Sequence, residues 1–127
     1  MMNEAITHLK VPVNERSACL GPDGSVAHVG RILAMLTGRW KLPSLFRLFA
    51  SPSMRSSQFL RDMSGISQKV LTCHLRDIEA DGLVERRDFH EQPQHVKYRL
   101  TRAGHELMPV LLAVRKYSRD HPTADKG

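Results

Sequence analysis

The stretch from Ser67 to Leu100 constrains the fold of this chain more than any other. In it a helical period gives way, across an Asp-Gly step, to two segments of strand period. Leu71, Leu75 and Ile78 recur at i, i+4 and i+7, which on a helical wheel keeps all three within about 40° of Leu71. Ser67 has the right chemistry for an N-cap, since its hydroxyl can accept an orphan N–H of the first turn. Asp81-Gly82 ends the helix. Leu83 to Phe89 and Val96 to Leu100 then read as strands. In the second, Val96, Tyr98 and Leu100 alternate with Lys97 and Arg99, the period of two expected of a hairpin face. A helix leading straight into a hairpin predicts a helix-turn-helix followed by a wing.

The remaining segments are helical. Val29, Ile32, Leu33 and Leu36 give a first helix over Val26 to Leu36, stopped by Gly38. A second starts near Trp40 on Leu42, Leu45, Phe46 and Phe49, with Pro43 in the first turn, where its missing N–H costs nothing. Ser57 to Met63 forms a short third helix, and Thr101 caps a last one from Arg102 to about Tyr117, which Pro109 should bend. The expected fold class is mainly α with a small β-hairpin (α+β). Residues 1–23, without sustained period, read as an arm; 24–117 as one domain; 118–127 as a polar, frayed tail.

Composition excludes several alternatives. The longest apolar run, Met108 to Val114, is far short of the roughly 20 residues of a membrane span. No secretory signal pattern opens the sequence. Cys19 and Cys73 are too few for a disulfide scaffold or a four-thiolate zinc site. The expected setting is therefore cytoplasmic and reduced, at the nucleoid. The seven histidines include no H-x-x-x-H pair, so neither metal nor cofactor is expected. There is no phosphate-binding Gly loop, no G-x-S-x-G and no carboxylate pair flanking a cleft, which argues against an enzyme.

Nineteen Lys and Arg against thirteen Asp and Glu leave a net charge of +6, and its placement matters. Between Asp23 and Asp62 there is no acid, while Arg31, Arg39, Lys41, Arg47, Arg55 and Arg61 are present. The hairpin adds Arg86, Arg87, Lys97 and Arg99, with His90 and His95 near its tip. Opposite Leu71 on the fourth helix lie Lys69, Cys73 and Arg76, with Gln68 and Thr72 on a flank. Gln pairs with adenine, Arg and Lys with guanine or phosphate, and Thr touches a thymine methyl. A solvated amphipathic helix explains that face equally well. It is the coincidence with a basic hairpin and the acid-free stretch between Asp23 and Asp62 that favours duplex DNA, where phosphate neutralisation releases counterions.

Gly38-Arg39-Trp40 is similar to the G-K-W opening the second helix of HxlR-type winged-helix regulators of bacteria and archaea. Gly65-Ile66-Ser67-Gln68-Lys69-Val70-Leu71-Thr72, Leu75-Arg76 and Glu79-Ala80-Asp81-Gly82-Leu83-Val84 resemble the recognition-helix signature of that family. Pro93, Val96, Tyr98, Leu100-Thr101 and Gly104 resemble its wing and the start of its last helix, and Leu107-Met108-Pro109-Val110-Leu111 its closing helix. The resemblance implies a homodimeric transcriptional regulator. Its recognition helix, about 67–80, would enter the major groove of a palindromic operator, and its wing, 84–100, would lie on the flanking backbone or minor groove. The implied DNA contacts are Ser67, Gln68, Lys69, Thr72, Cys73 and Arg76, with Arg55, Arg87, His95 and Lys97. The first and last helices would form the dimer interface through Val29, Leu33, Leu107, Leu111 and Val114. A small-molecule effector is compatible with this reading and its class is open.

Two departures stand out. The family's sensing cysteine falls at Ala27 here, and its R-F-x-E-L third-helix start is Arg55-Ser56-Ser57-Gln58-Phe59. Thiol sensing of the family type is therefore not expected. A thiol response through Cys73 and a winged-helix module for protein or RNA remain as competing readings.

Overall fold

The computed structural model describes residues 12–89 and 95–123, and the chain divides into two compact units, up to Thr37 and from Gly38 onward. In the first unit, α1 (Val13–Arg16) runs into a 3-10 turn (Ser17–Leu20) and then into α2 (Ser25–Met35). The segment expected to be an unpatterned arm thus carries short helical structure from Val13 onward. His28 Nε2 lies 3.1 Å from a carboxylate oxygen of Asp23, tying the first turn of α2 to the residue before its cap. No residue of α2 is buried, although its apolar positions recur at helical spacing.

The second unit contains α3 (Lys41–Ala50), β1 (Met54–Arg55), α4 (Ser56–Asp62), α5 (Gln68–Ala80), β2 (Val84–Phe89), β3 (His95–Leu100) and α6 (Arg102–Asp120). Its core is Leu45, Leu48, Met54, Phe59, Met63, Leu71, Leu75, Ile78, Leu83, Val84, Tyr98, Leu100 and Met108. Each such side chain contributes about 1.5–3 kcal/mol of burial, so this list is what holds the unit together. Among the described residues the one buried polar side chain, Ser44, is satisfied by donating its hydroxyl to the Trp40 carbonyl at 2.7 Å.

The turn that aims the hairpin is built from backbone bonds. Leu83 N–H donates to Ile78 C=O and Gly82 N–H to Glu79 C=O, the paired closure of a Schellman motif. Gly82 sits at φ +80, which only glycine adopts without cost. Thr101 then joins three elements: its hydroxyl donates to Gly82 C=O and accepts from Gly104 N–H, and its N–H donates to Leu83 C=O. A Cβ on Gly104 would collide with the Leu83 carbonyl, so α6 starts where only a glycine lets it approach β2.

The sheet is antiparallel with strand order β1-β3-β2, one strand more than the expected hairpin. Met54 pairs with Tyr98 and Arg55 with Lys97, and β2 pairs with β3 from Val84↔Leu100 to Phe89↔His95. Two-residue β1 has no period of its own for a sequence reading to detect. The last helix also runs past the expected end: Ser118 to Asp120 are helical, held by a Lys116–Asp120 ion pair at 2.6 Å and by His121 stacked on Tyr117. That hydrogen bond from Lys116 holds the Asp120 carboxyl below its ordinary value. The helix continues through Pro109 without a break in its assignment. The wing tip, with His90 and Pro93, lies outside the described residues. Among the described residues no helix is long and apolar enough to cross a membrane.

Candidate nucleic-acid interface

Helix α5 is fixed at both ends and along one side. Ser67 Oγ accepts the Val70 N–H at 3.1 Å, the expected N-cap, and Leu71, Leu75 and Ile78 are fully buried. That anchoring leaves Gln68, Lys69, Cys73 and Arg76 exposed and Thr72 half-buried. Gln68 Nε2 donates to Thr72 Oγ1 at 3.2 Å, so the two uncharged hydrogen-bonding groups are coupled one turn apart. Val70, 38% exposed, places an apolar surface beside them in the first turn. The acid nearest this face, Asp77, is engaged by Lys41 at 3.8 Å.

The remaining predicted contacts come together on the sheet. Residues directly opposite in antiparallel strands project from the same face. The register Arg55↔Lys97↔Arg87 therefore places three cations side by side across all three strands. Arg55 is positioned by its own backbone N–H, which donates to Gln58 Oε1 at 2.8 Å in the first turn of α4. On the same face, toward the tip, Phe89 stacks on His95 with centroids 4.9 Å apart, and Lys97 Nζ sits 5.6 Å above the Phe89 ring. On the same face, away from the tip, Glu85 accepts from Arg99 Nε at 2.8 Å. That hydrogen bond holds the Glu85 carboxyl below the usual carboxylate range and Arg99 above its own ordinary value.

The distribution of cations is narrower than the sequence implied. Arg47 is paired with Asp62, Arg86 with Asp88, Arg99 with Glu85 and Lys41 with Asp77. Arg39 lies over the Trp40 ring, 4.7 Å from its centroid, and Arg31 approaches Met35 Sδ. Among the described residues no carboxylate pairs with Lys69, Arg76, Arg55, Arg87 or Lys97. The Phe89–His95 stack and the β1 register are features that sequence reasoning missed. Alternation within β2 and β3 could have suggested the stack; nothing in the sequence sets the β1 register.

The residues expected at a dimer interface fall in both units. Val29 and Leu33 on α2 are 56% and 61% exposed, and Val114 on α6 is 60% exposed. Leu107 and Leu111 are half-buried, while their neighbour Met108 is fully buried in the core. Leu42, Phe46, Leu111, Val114 and Arg115 line an open apolar groove of about 420 Å³ between α3 and α6. Cys73 is exposed and Cys19 half-buried. No cluster of potential metal ligands occurs among the described residues.

A helix-turn-helix whose second helix keeps one polar face outside, followed by an antiparallel wing, defines a winged helix-turn-helix protein. Comparison with known proteins gives the family. The HxlR-like helix-turn-helix family matches residues 35–126, and the chain belongs to it, a family of non-enzymatic, DNA-binding transcriptional regulators. An uncharacterised HTH-type transcriptional regulator, sll1512 of Synechocystis, is 34% identical over 97 residues, covering 76% of this chain and 71% of its own. YybR of Bacillus subtilis, described in the same terms, is 36% identical over 85 residues, 67% of each chain. Among solved structures, a transcriptional regulator from Enterococcus faecalis superimposes with a TM-score of 0.74 at 33% identity, covering 78% of this chain and 89% of that one. The reduced form of the redox regulator HypR superimposes at 0.66 with 33% identity, covering 72% and 90%.

Proposed function

We propose that this protein is a homodimeric regulator that reads a palindromic operator in double-stranded DNA, with α5 in the major groove and the sheet on the flanking backbone. The observation that carries the reading is the outer face of α5. Gln68, Lys69, Thr72, Cys73 and Arg76 are presented by a helix whose other side is locked by three fully buried side chains. A helix so fixed can hold a bidentate group against a base edge, which a mobile one cannot. Ser67 at its N-terminus and Arg55, Arg87, His95 and Lys97 on the sheet are the backbone contacts. Residues 24–117 constitute the DNA-binding and dimerising body, flanked by 1–23 and 118–127.

Dimerisation rests on apolar surface that the chain itself leaves open. Val29 and Leu33 on one helix and Leu111 and Val114 on another are the side chains a second copy would cover, and a two-fold pair presents α5 twice to successive grooves. Footprinting on the DNA flanking the protein's own gene tests the reading. One protected two-fold site with steep salt dependence is expected; salt-steep binding without a preferred sequence would overturn it.

One observation favours a thiol-responsive version. Cys73 is exposed in the middle of the α5 face, where oxidation would add bulk and charge against the groove, and the structural relative HypR is described as a redox regulator. Alkylation of Cys73 that leaves operator affinity unchanged would dispose of it.

A further inference from the structure

The outer face of the sheet holds more positive charge than a solvated surface needs. Like charges directly opposite in neighbouring strands destabilise a sheet, yet Arg55, Lys97 and Arg87 occupy three such positions in a line. With strands about 4.8 Å apart, the row spans on the order of 10 Å. Of the described acids of β2, Glu85 lies on this face but is bonded to Arg99, and Asp88 is paired with Arg86. The face is also concave. Pro52, Ser53, Arg87, Phe89, Lys97, Tyr98 and Arg99 enclose a hollow of about 220 Å³, and Lys97 is steadied over the Phe89 ring.

We propose that this hollow is a built oxyanion site for a small phosphorylated molecule, and that filling it competes with operator DNA for Arg87 and Lys97. The charge density points to a phosphate monoester or diphosphate. Such a group concentrates about two or more negative charges on one or two neighbouring phosphorus centres, which answers the adjacent Arg87 and Lys97 together. A DNA strand offers one charge per phosphate and prefers an open track to a hollow walled by Pro52 and Phe89. Of the lining residues, Arg87 supplies planar guanidinium donors, Lys97 a point charge beside it, and Ser53 a hydroxyl. The competition, though not the site, rests on the DNA-binding reading above.

Pyrophosphate is the probe. It is titrated calorimetrically into the DNA-free full-length protein, with ionic strength held constant by chloride. Saturable binding is expected, weakened about tenfold or more in Lys97→Gln and in Arg87→Gln, since each removes a charged hydrogen bond. Arg76→Gln, on α5, should bind pyrophosphate like the wild type. Heats indistinguishable from chloride, or equal binding by Lys97→Gln, would overturn the site. If those two sheet variants weaken duplex binding while the wild type ignores pyrophosphate, the row serves the DNA backbone and the proposal is wrong. In the same buffer, pyrophosphate should release a footprinted duplex from the wild type; binding without release would overturn the competition. A protein that binds pyrophosphate but protects no DNA would leave the site standing and refute the DNA reading instead.

Discussion

The outer face of α5 and the outer face of the sheet are both cationic, but they distribute their charge differently. On α5, Lys69 and Arg76 lie about two turns apart, accompanied by Gln68 bonded to Thr72 and by Cys73. On the sheet, Arg55, Lys97 and Arg87 stand shoulder to shoulder with no uncharged hydrogen-bonding group between them. The first arrangement can distinguish bases, because amide, hydroxyl and guanidinium each match a different edge. The second can only count phosphates. On the proposed reading, cations spaced among uncharged groups would serve specificity in one region and a contiguous row affinity in the other.

The variant expected to break this division most severely touches neither face. Leu33 is exposed on α2, so Leu33→Asp should leave the fold intact by circular dichroism while preventing pairing. If the proposed dimer is what reads the operator, site-specific binding should be lost, whereas the sheet cations of a monomer should still attract DNA of any sequence. Sedimentation and footprinting together check this. A variant that remains dimeric would refute the interface, and a monomer that still protects a two-fold site would refute the link between symmetry and reading.

Arg76→Ala and Gln68→Ala come next. Each should relax base preference at one defined position and cost about 1–3 kcal/mol there, with smaller losses on unrelated duplex. Gln68→Ala also releases the Thr72 hydroxyl from its 3.2 Å bond, so its effect should exceed that of a Gln contact alone. Competition binding against a library of single-base variants gives the position. Uniform loss across all sequences would place these side chains with the phosphate contacts instead.

Lys97→Ala should show the opposite pattern. Affinity should drop for every sequence alike, and the slope of log affinity against log salt should become shallower by about one counterion. A change in base preference would mean that the sheet reads sequence after all, which would erase the contrast between the two faces.

How much of this was legible beforehand follows from the range of the forces involved. Helix α5 was readable because its cap, its buried stripe and its stop are local: Ser67, Leu71, Leu75, Ile78 and Gly82 lie within one short window. The wing strands were readable for the same reason. The cation row was not, because Arg55 and Lys97 are far apart in sequence and meet only through the β1–β3 register. Nor was the silencing of Arg47, Arg86 and Arg99, since an ion pair depends on which acid the fold brings near. What would cover α2 was equally illegible: periodicity marks Val29 and Leu33 as an apolar face, and the structure leaves both exposed. The resemblance to HxlR-type regulators supplied the family, which the HxlR-like match over residues 35–126 establishes.

The smallest expected effect probes the boundary of the row. Glu85 is ionised below its ordinary value because it accepts from Arg99, and its folded-state value is therefore depressed. A depressed carboxylate contributes stability that is present above its unfolded value and is lost as pH falls through the folded one. Glu85→Gln should accordingly flatten the loss of thermal stability below about pH 4.5, by little, because the pair is solvent-exposed. The same substitution leaves Arg99 without its acid, next to Lys97 on β3 and on the same face two residues away. If charge on this face only counts phosphates, the released guanidinium should make the salt slope steeper by a fraction of a counterion and leave base preference untouched. An unchanged slope would show that Arg99 lies outside the DNA track, confining the phosphate-binding part of the sheet to Arg55, Lys97 and Arg87.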